Sequence, residues 1–112
     1  GGDLSITDNA SILDISGFNQ LADVGGGMKV YYNPQLQALS GLGALTQVGG
    51  TLELTSNWAL SDIRSLDGLV QVGGGVNIDD NPSLPDLSGF PALTDIGQYL
   101  IVHNNQGITS IL

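Results

Sequence analysis

The feature that most restricts this 112-residue chain is a 24-residue period. The unit Gly49–Val72, GGTLELTSNWALSDIRSLDGLVQV, recurs as Gly1–Val24, Gly25–Val48 and Gly73–Ile96, and starts again as Gly97–Leu112. No insertion or deletion separates the copies. A chain of this length suits one domain. Self-similarity at such a period marks a solenoid, in which each unit packs on its neighbours. The expected organisation is one solenoid domain over residues 1–112, with repeats 1–24, 25–48, 49–72 and 73–96 and a partial repeat 97–112.

Aligning the copies gives columns, numbered here by place within the unit. Place 4 holds Leu4, Met28, Leu52, Val76 and Leu100, and place 6 holds Ile6, Val30, Leu54, Ile78 and Val102. Apolar residues two apart with polar ones between them read as a half-buried strand. Apolar columns then continue in steps of three. Place 12 runs from Ile12 to Ile108, place 15 from Ile15 to Ile111, place 18 from Phe18 to Phe90, place 21 from Leu21 to Leu93, and place 24 from Val24 to Ile96. A step of three fits either extended coil or a short helical turn. Gly17, Gly41 and Gly89, with Pro85 and Pro91, exclude a long helix. The Ser-Gly-Phe/Leu segments leave room for a single 3₁₀ turn.

Each unit carries about seven inward apolar residues, too few to close a core alone, so the copies must stack and bury row on row. Parallel crossover connections are right-handed, which sets the expected hand of the coil. Glycine pairs after place 24 are expected to make the corner into the next strand. Place 9 is invariant: Asn9, Asn33, Asn57, Asn81 and Asn105. A buried asparagine can satisfy backbone groups that a corner turns inward, and stacked copies form a ladder. Asn9-Ala10-Ser11 matches a glycosylation sequon, but ladder membership predicts a buried, unmodified Asn9.

Eleven acidic residues stand against Lys29 and Arg64, a net charge of −9. A phosphate backbone or an anionic membrane surface would be repelled. No apolar run approaches the roughly 18 residues of a membrane span, and no signal peptide is apparent. The absence of cysteine excludes disulfide staples and thiolate metal sites.

Leu52-x-Leu54-x-x-Asn57 resembles the strand-and-asparagine part of leucine-rich repeats. The fuller pattern GG-x-L-x-I-x-x-N-P-x-L-x-x-L-S-G-L-x-x-L-x-x-V, best matched by Gly73–Ile96, is similar to the repeats of receptor L domains, the ligand-binding lobes of insulin- and epidermal-growth-factor-type receptors. Related repeats occur in microbial surface proteins. The resemblance implies a mainly β solenoid: a single-stranded right-handed parallel β-helix with short strands and at most single helical turns. It also implies an extracellular or cell-surface setting. Receptor lobes carry disulfides and end caps, which this chain lacks. Exposed apolar end rungs are therefore expected, suggesting a piece of something longer or end-to-end assembly.

Outward columns on the first strand form the candidate binding face. Place 5 reads Ser5, Lys29, Glu53, Asn77, Ile101; place 7 reads Thr7, Tyr31, Thr55, Asp79, His103; place 8, at the edge, reads Asp8, Tyr32, Ser56, Asp80, Asn104. The residues singled out are Lys29, Tyr31, Tyr32, Glu53, Thr55, Asn77, Asp79 and His103. Paired tyrosines offer amphipathic contact area, and Lys29 and Glu53 are placed to pair across the ladder. Trp58 replaces the proline that follows Asn33 and Asn81, and is expected to pack an irregular corner.

Catalysis has little support. His103 falls one rung from Asp79, but no serine or cysteine nucleophile adjoins them, and the next residue in the column is Thr55. Asp62 and Asp86 share place 14, with Asp14 in the same column and Arg64 beside it. Calcium is thinkable there, but the ligand count is short, and neither metal nor cofactor is expected. The function that follows is non-catalytic: a recognition or adhesion module taking a protein or carbohydrate on the first-strand face. A structural spacer or self-assembling segment is the alternative, and an ice-binding array is disfavoured because place 7 offers only Thr7 and Thr55 as threonines.

Overall fold

A computed structural model describes residues 2–87 and 90–108. Ser88, Gly89 and Ile111, which belong to the turn and apolar patterns above, lie outside the described residues. The chain is mainly β, a stack of parallel coils. Its strands are β1 (Leu4–Thr7), β2 (Asp23–Val24), β3 (Met28–Tyr31), β4 (Gln47–Val48), β5 (Leu52–Thr55), β6 (Gln71–Val72), β7 (Val76–Asp79), β8 (Asp95–Ile96) and β9 (Leu100–His103). The long strands form a five-stranded sheet in the order β1-β3-β5-β7-β9, and the short ones a four-stranded sheet in the order β2-β4-β6-β8.

Register follows the sequence period without a slip. Leu4 faces Met28, Met28 faces Leu52, Leu52 faces Val76 and Val76 faces Leu100. In the short sheet Val24, Val48, Val72 and Ile96 align in one row. Slipping a strand by one residue would turn its whole apolar set to solvent, so the pattern pins the pairing.

The three-residue step is made by successive turns. In each coil an N–H donates to the carbonyl three residues back: Leu36 to Asn33 and Leu45 to Leu42, Leu60 to Asn57 and Leu69 to Leu66, Leu84 to Asn81 and Leu93 to Phe90. Among the described residues two coils tighten this into 3₁₀ turns, at Ser16–Phe18 and Arg64–Gly68. Each turn returns one apolar side chain inward. Leu36, Leu39, Leu42 and Leu45 are fully buried in one coil, and Leu60, Leu66 and Leu69 in the next. The outermost rungs pack more loosely: Leu4, Ile12, Phe18 and Leu21 at one end and Phe90, Leu93, Ile96 and Ile108 at the other only lean on the core.

The invariant asparagines are interior. Asn33, Asn57 and Asn81 are fully buried. Each donates its backbone N–H and its side-chain amide to Oδ1 of the next asparagine, at 3.2 and 3.1 Å for Asn33 to Asn57. The same amide also reaches back one coil to the strand: Asn33 Nδ2 donates to the Ile6 carbonyl, Asn57 Nδ2 to Val30 and Asn81 Nδ2 to Leu54. Asn9 differs from the expectation. Its Nδ2 donates to Asn33 Oδ1 at 3.0 Å, but in the first coil it is only half-buried.

The glycine pairs turn the chain from each short strand into the next long one, as expected, with bends at Gly25-Gly26, Gly49-Gly50 and Gly73-Gly74. No described glycine has a positive φ; the left-handed positions are Asp8, Tyr32, Ser56, Asp80 and Asn104, with φ between 53° and 60°. Place 8 makes a second, left-handed corner on the far side of the long strand, immediately before the ladder asparagine. The glycines serve close approach between coils. A Cβ on Gly49 would land on the Gly25 carbonyl, on Gly73 on the Gly49 carbonyl, and on Gly97 on the Gly73 carbonyl.

No helix among the described residues is long and apolar enough to cross a membrane.

Candidate functional site

Alternation in the long strands sends places 4 and 6 inward and places 5 and 7 outward, so Lys29, Tyr31, Glu53, Thr55, Asn77, Asp79 and His103 share one face of the five-stranded sheet. The backbone ladder runs on through place 8, where Asp8 N–H donates to the Tyr31 carbonyl, Tyr32 to Thr55 and Ser56 to Asp79. Tyr32 thus stands at the rim of the same face, carried outward by its left-handed backbone. Tyrosine in that conformation costs on the order of 1 kcal/mol more than the Asp or Asn found there in other coils.

Three aromatic rings meet at this rim. Tyr31 and Tyr32 have ring centroids 6.2 Å apart, and the Trp58 ring meets Tyr32 edge-on at 5.3 Å with an 85° interplanar angle. All three remain open to solvent, at 37, 40 and 44% exposure. Trp58 does not fill the corner. It lies across it, its indole N–H donating to Asp80 Oδ2 at 3.2 Å while the Ser56 hydroxyl donates to the same oxygen at 2.9 Å. Trp58, Ser56 and Asp80 are the members of this cluster missing from the set singled out by sequence. The one available signal was the tryptophan standing where Pro34 and Pro82 occur in neighbouring coils.

Charged groups flank the rings. Lys29 Nζ lies 4.8 Å from the Tyr31 ring centroid and 3.9 Å from Glu53 Oε2. Its attraction to the ring face is a cation–π contact, and the ion pair is long and half exposed, a weak contributor. On the other side His103 Nδ1 is 3.4 Å from Asp79 Oδ1, which also accepts a hydrogen bond from Asn104 Nδ2 at 3.1 Å. Asn77, on β7, faces Glu53 on one side and Ile101 on the other and has no part in the aromatic cluster. Thr55, between Tyr31 and Asp79 in register, buries its hydroxyl without a hydrogen-bond partner among the described residues. The sequence-selected residues therefore divide into Lys29, Tyr31, Tyr32 and Glu53 around the rings, and Asp79 with His103 one to two rungs away.

Chain comparison adds no relative. No protein-family model, no curated protein and no solved structure matches this sequence.

The place-14 carboxylates behave as structural groups. Asp62 takes Arg64 in a two-point pair, Nε to Oδ1 at 3.0 Å and Nη2 to Oδ2 at 2.9 Å, and Oδ1 also accepts the Arg64 backbone N–H at 2.9 Å. These contacts, the side-chain bonds first, hold the Asp62 carboxyl down from 3.8 to about 2. Asp14 similarly accepts the Ser16 N–H at the start of the first 3₁₀ turn. Among the described residues no three His, Cys, Asp or Glu side chains converge to hold a metal ion.

Proposed function

We propose that this chain is a non-catalytic recognition module of an extracellular or cell-surface protein, holding a protein or carbohydrate ligand against the outward face of the five-stranded sheet. The observation that carries this reading is the cluster of Tyr31, Tyr32 and Trp58, three solvent-exposed rings in mutual contact on one rim. Aromatic side chains offer large contact area at low entropic cost and are enriched at interfaces. The coils that carry them are hydrogen-bonded to their neighbours through the strand ladder and the asparagine ladder, which holds the rings in fixed relation. The likeness of the repeat to receptor L domains, ligand-binding lobes built from similar units, points the same way.

The test is binding of the whole chain to arrayed glycans and to a library of extracellular proteins, compared with the Tyr31→Ala/Tyr32→Ala variant. Loss of a specific interaction, with circular dichroism and melting unchanged, supports the reading. A ligand held equally well by the variant places recognition elsewhere.

A structural spacer or self-assembling segment is the second reading. It draws support from β9, where Leu100, Ile101 and Val102 stand exposed at 57, 47 and 38%. Sedimentation over a wide concentration range separates the two, since a strict monomer at high concentration contradicts self-assembly.

A further inference from the structure

The aromatic rim carries a more specific chemistry than ring area alone. Lys29, Tyr31 and Glu53 form a trio in which an ammonium lies over a ring with a carboxylate at its side. Tyr32, Trp58 and Asp80 repeat the ring-and-carboxylate part of that trio on the next coils. Neither of the chain's two basic residues serves it, since Lys29 is over Tyr31 and Arg64 is bound to Asp62. Asp80 fixes the Trp58 edge through Oδ2, and its Oδ1 accepts no hydrogen bond among the described residues. Asp8 adds an exposed carboxylate next to Tyr32 along the place-8 column. The rings are thus bracketed by Asp8 and Asp80 on a chain of net charge −9.

Resting on the recognition reading above, we propose that this rim docks an arginine-bearing segment of a partner protein. A guanidinium is planar, so it stacks on an aromatic face while its edge donates to a carboxylate, and it sheds water more readily than an ammonium. Trp58 and Tyr32 stand nearly perpendicular, giving a ring face beside a ring edge. Asp80 lies at hydrogen-bond distance from that edge and offers its second oxygen to the incoming group. The charge of the whole chain draws a basic partner in and repels an acidic one. A neutral sugar would gain from the rings and from hydroxyl hydrogen bonds to a carboxylate, but nothing from the net charge.

Trp58 is the only tryptophan in the chain, so its emission reports on the rim directly. The probe is a capped peptide alternating arginine and glycine, titrated into the full chain at low salt, beside the same peptide with citrulline for arginine. The arginine peptide is expected to change Trp58 emission saturably, and the uncharged citrulline peptide to bind at least about tenfold more weakly. Asp8→Asn/Asp80→Asn should weaken the arginine peptide about tenfold or more. Asparagine tolerates the left-handed backbone of both positions, so this variant keeps the corner. Asp23→Asn/Asp95→Asn, which removes the same charge from exposed places on the short sheet, should leave binding nearly unchanged. No saturable response, equal weakening by the two double variants, or equal binding of the citrulline peptide overturns the proposal. If any of these occurs while a glycan or protein is still lost on Tyr31→Ala/Tyr32→Ala, the recognition reading stands and the arginine assignment falls.

Discussion

Asn57 donates both its backbone N–H and its side-chain amide to a single oxygen, Oδ1 of Asn81, one coil further on. The two residues are 24 apart and both fully buried. A second hydrogen of the Asn57 amide reaches the Val30 carbonyl in the preceding coil, so one side chain ties three coils together. Backbone groups turned inward at a corner have no water to meet, and this ladder is what satisfies them.

Asn57→Ala therefore strands several buried groups at once, among them the Val30 carbonyl and the Asn33 amide. At about 1–3 kcal/mol for each unsatisfied group, the loss should reach about 3 kcal/mol or more. Asn9→Ala, at the half-buried end of the ladder, should cost less than half as much. Urea unfolding of the two variants checks the ratio.

The glycines divide by what surrounds them. Gly73→Ala forces a Cβ onto the Gly49 carbonyl, backbone against backbone, and should cost about 1–3 kcal/mol. Gly43→Ala meets nothing within 4 Å at a residue without positive φ, and should add about 0.4–1 kcal/mol by restricting the unfolded chain. Thermal melts of the two variants should move in opposite directions.

The long strands were legible because each alternates over several residues, as at Leu52 and Leu54, and the ladder because one asparagine recurs in every coil, as at Asn57. The short sheet was not, because β4 or β6 contributes one inward residue, and a single Val48 or Val72 shows no alternation. The left-handed corner was obscured by its variety, since Asp and Asn at place 8 tolerate it but Tyr32 and Ser56 share the position. The glycine pairs were legible as corners; that they also let successive coils approach closely shows only in their contacts with the previous coil. The Trp58 contacts lie 26 residues from Tyr32 and 22 from Asp80, and depend on how that corner aims its side chains.

Thr55 tests the outward face against the core one residue away. Its hydroxyl is buried without a partner, so Thr55→Val removes an unsatisfied group and should be neutral or slightly stabilising, within about 0.5 kcal/mol. Leu54→Ala, fully buried in the same strand, should cost about 2–5 kcal/mol. Equilibrium unfolding of both variants gives the contrast.

Acid should weaken the fold in a defined window through Asp62. Its carboxyl is held below the unfolded value of 3.8, at about 2, chiefly by Arg64. A depressed value means the contribution is complete above about pH 4 and is lost as pH falls toward 2. Asp62→Asn keeps an oxygen for the Arg64 N–H and removes the charge. Its melting temperature should fall less than the parent's between pH 4 and pH 2, with little difference at pH 7 because the pair is solvent-screened. Parallel acid curves for parent and variant contradict that assignment.

The central claim is that coils of 24 residues lie in register, place on place. Because the chain has no cysteine, paired cysteines read this out directly. Glu53 and Asn77 face each other on β5 and β7, at the strand spacing of about 4.8 Å that a disulfide can span. Glu53→Cys/Asn77→Cys should form an intramolecular disulfide under mild oxidation. Glu53→Cys/Asp79→Cys, displaced two residues along the strand to about 8 Å, should not. Crosslinking of the displaced pair as readily as the facing pair, or of neither, would contradict the account.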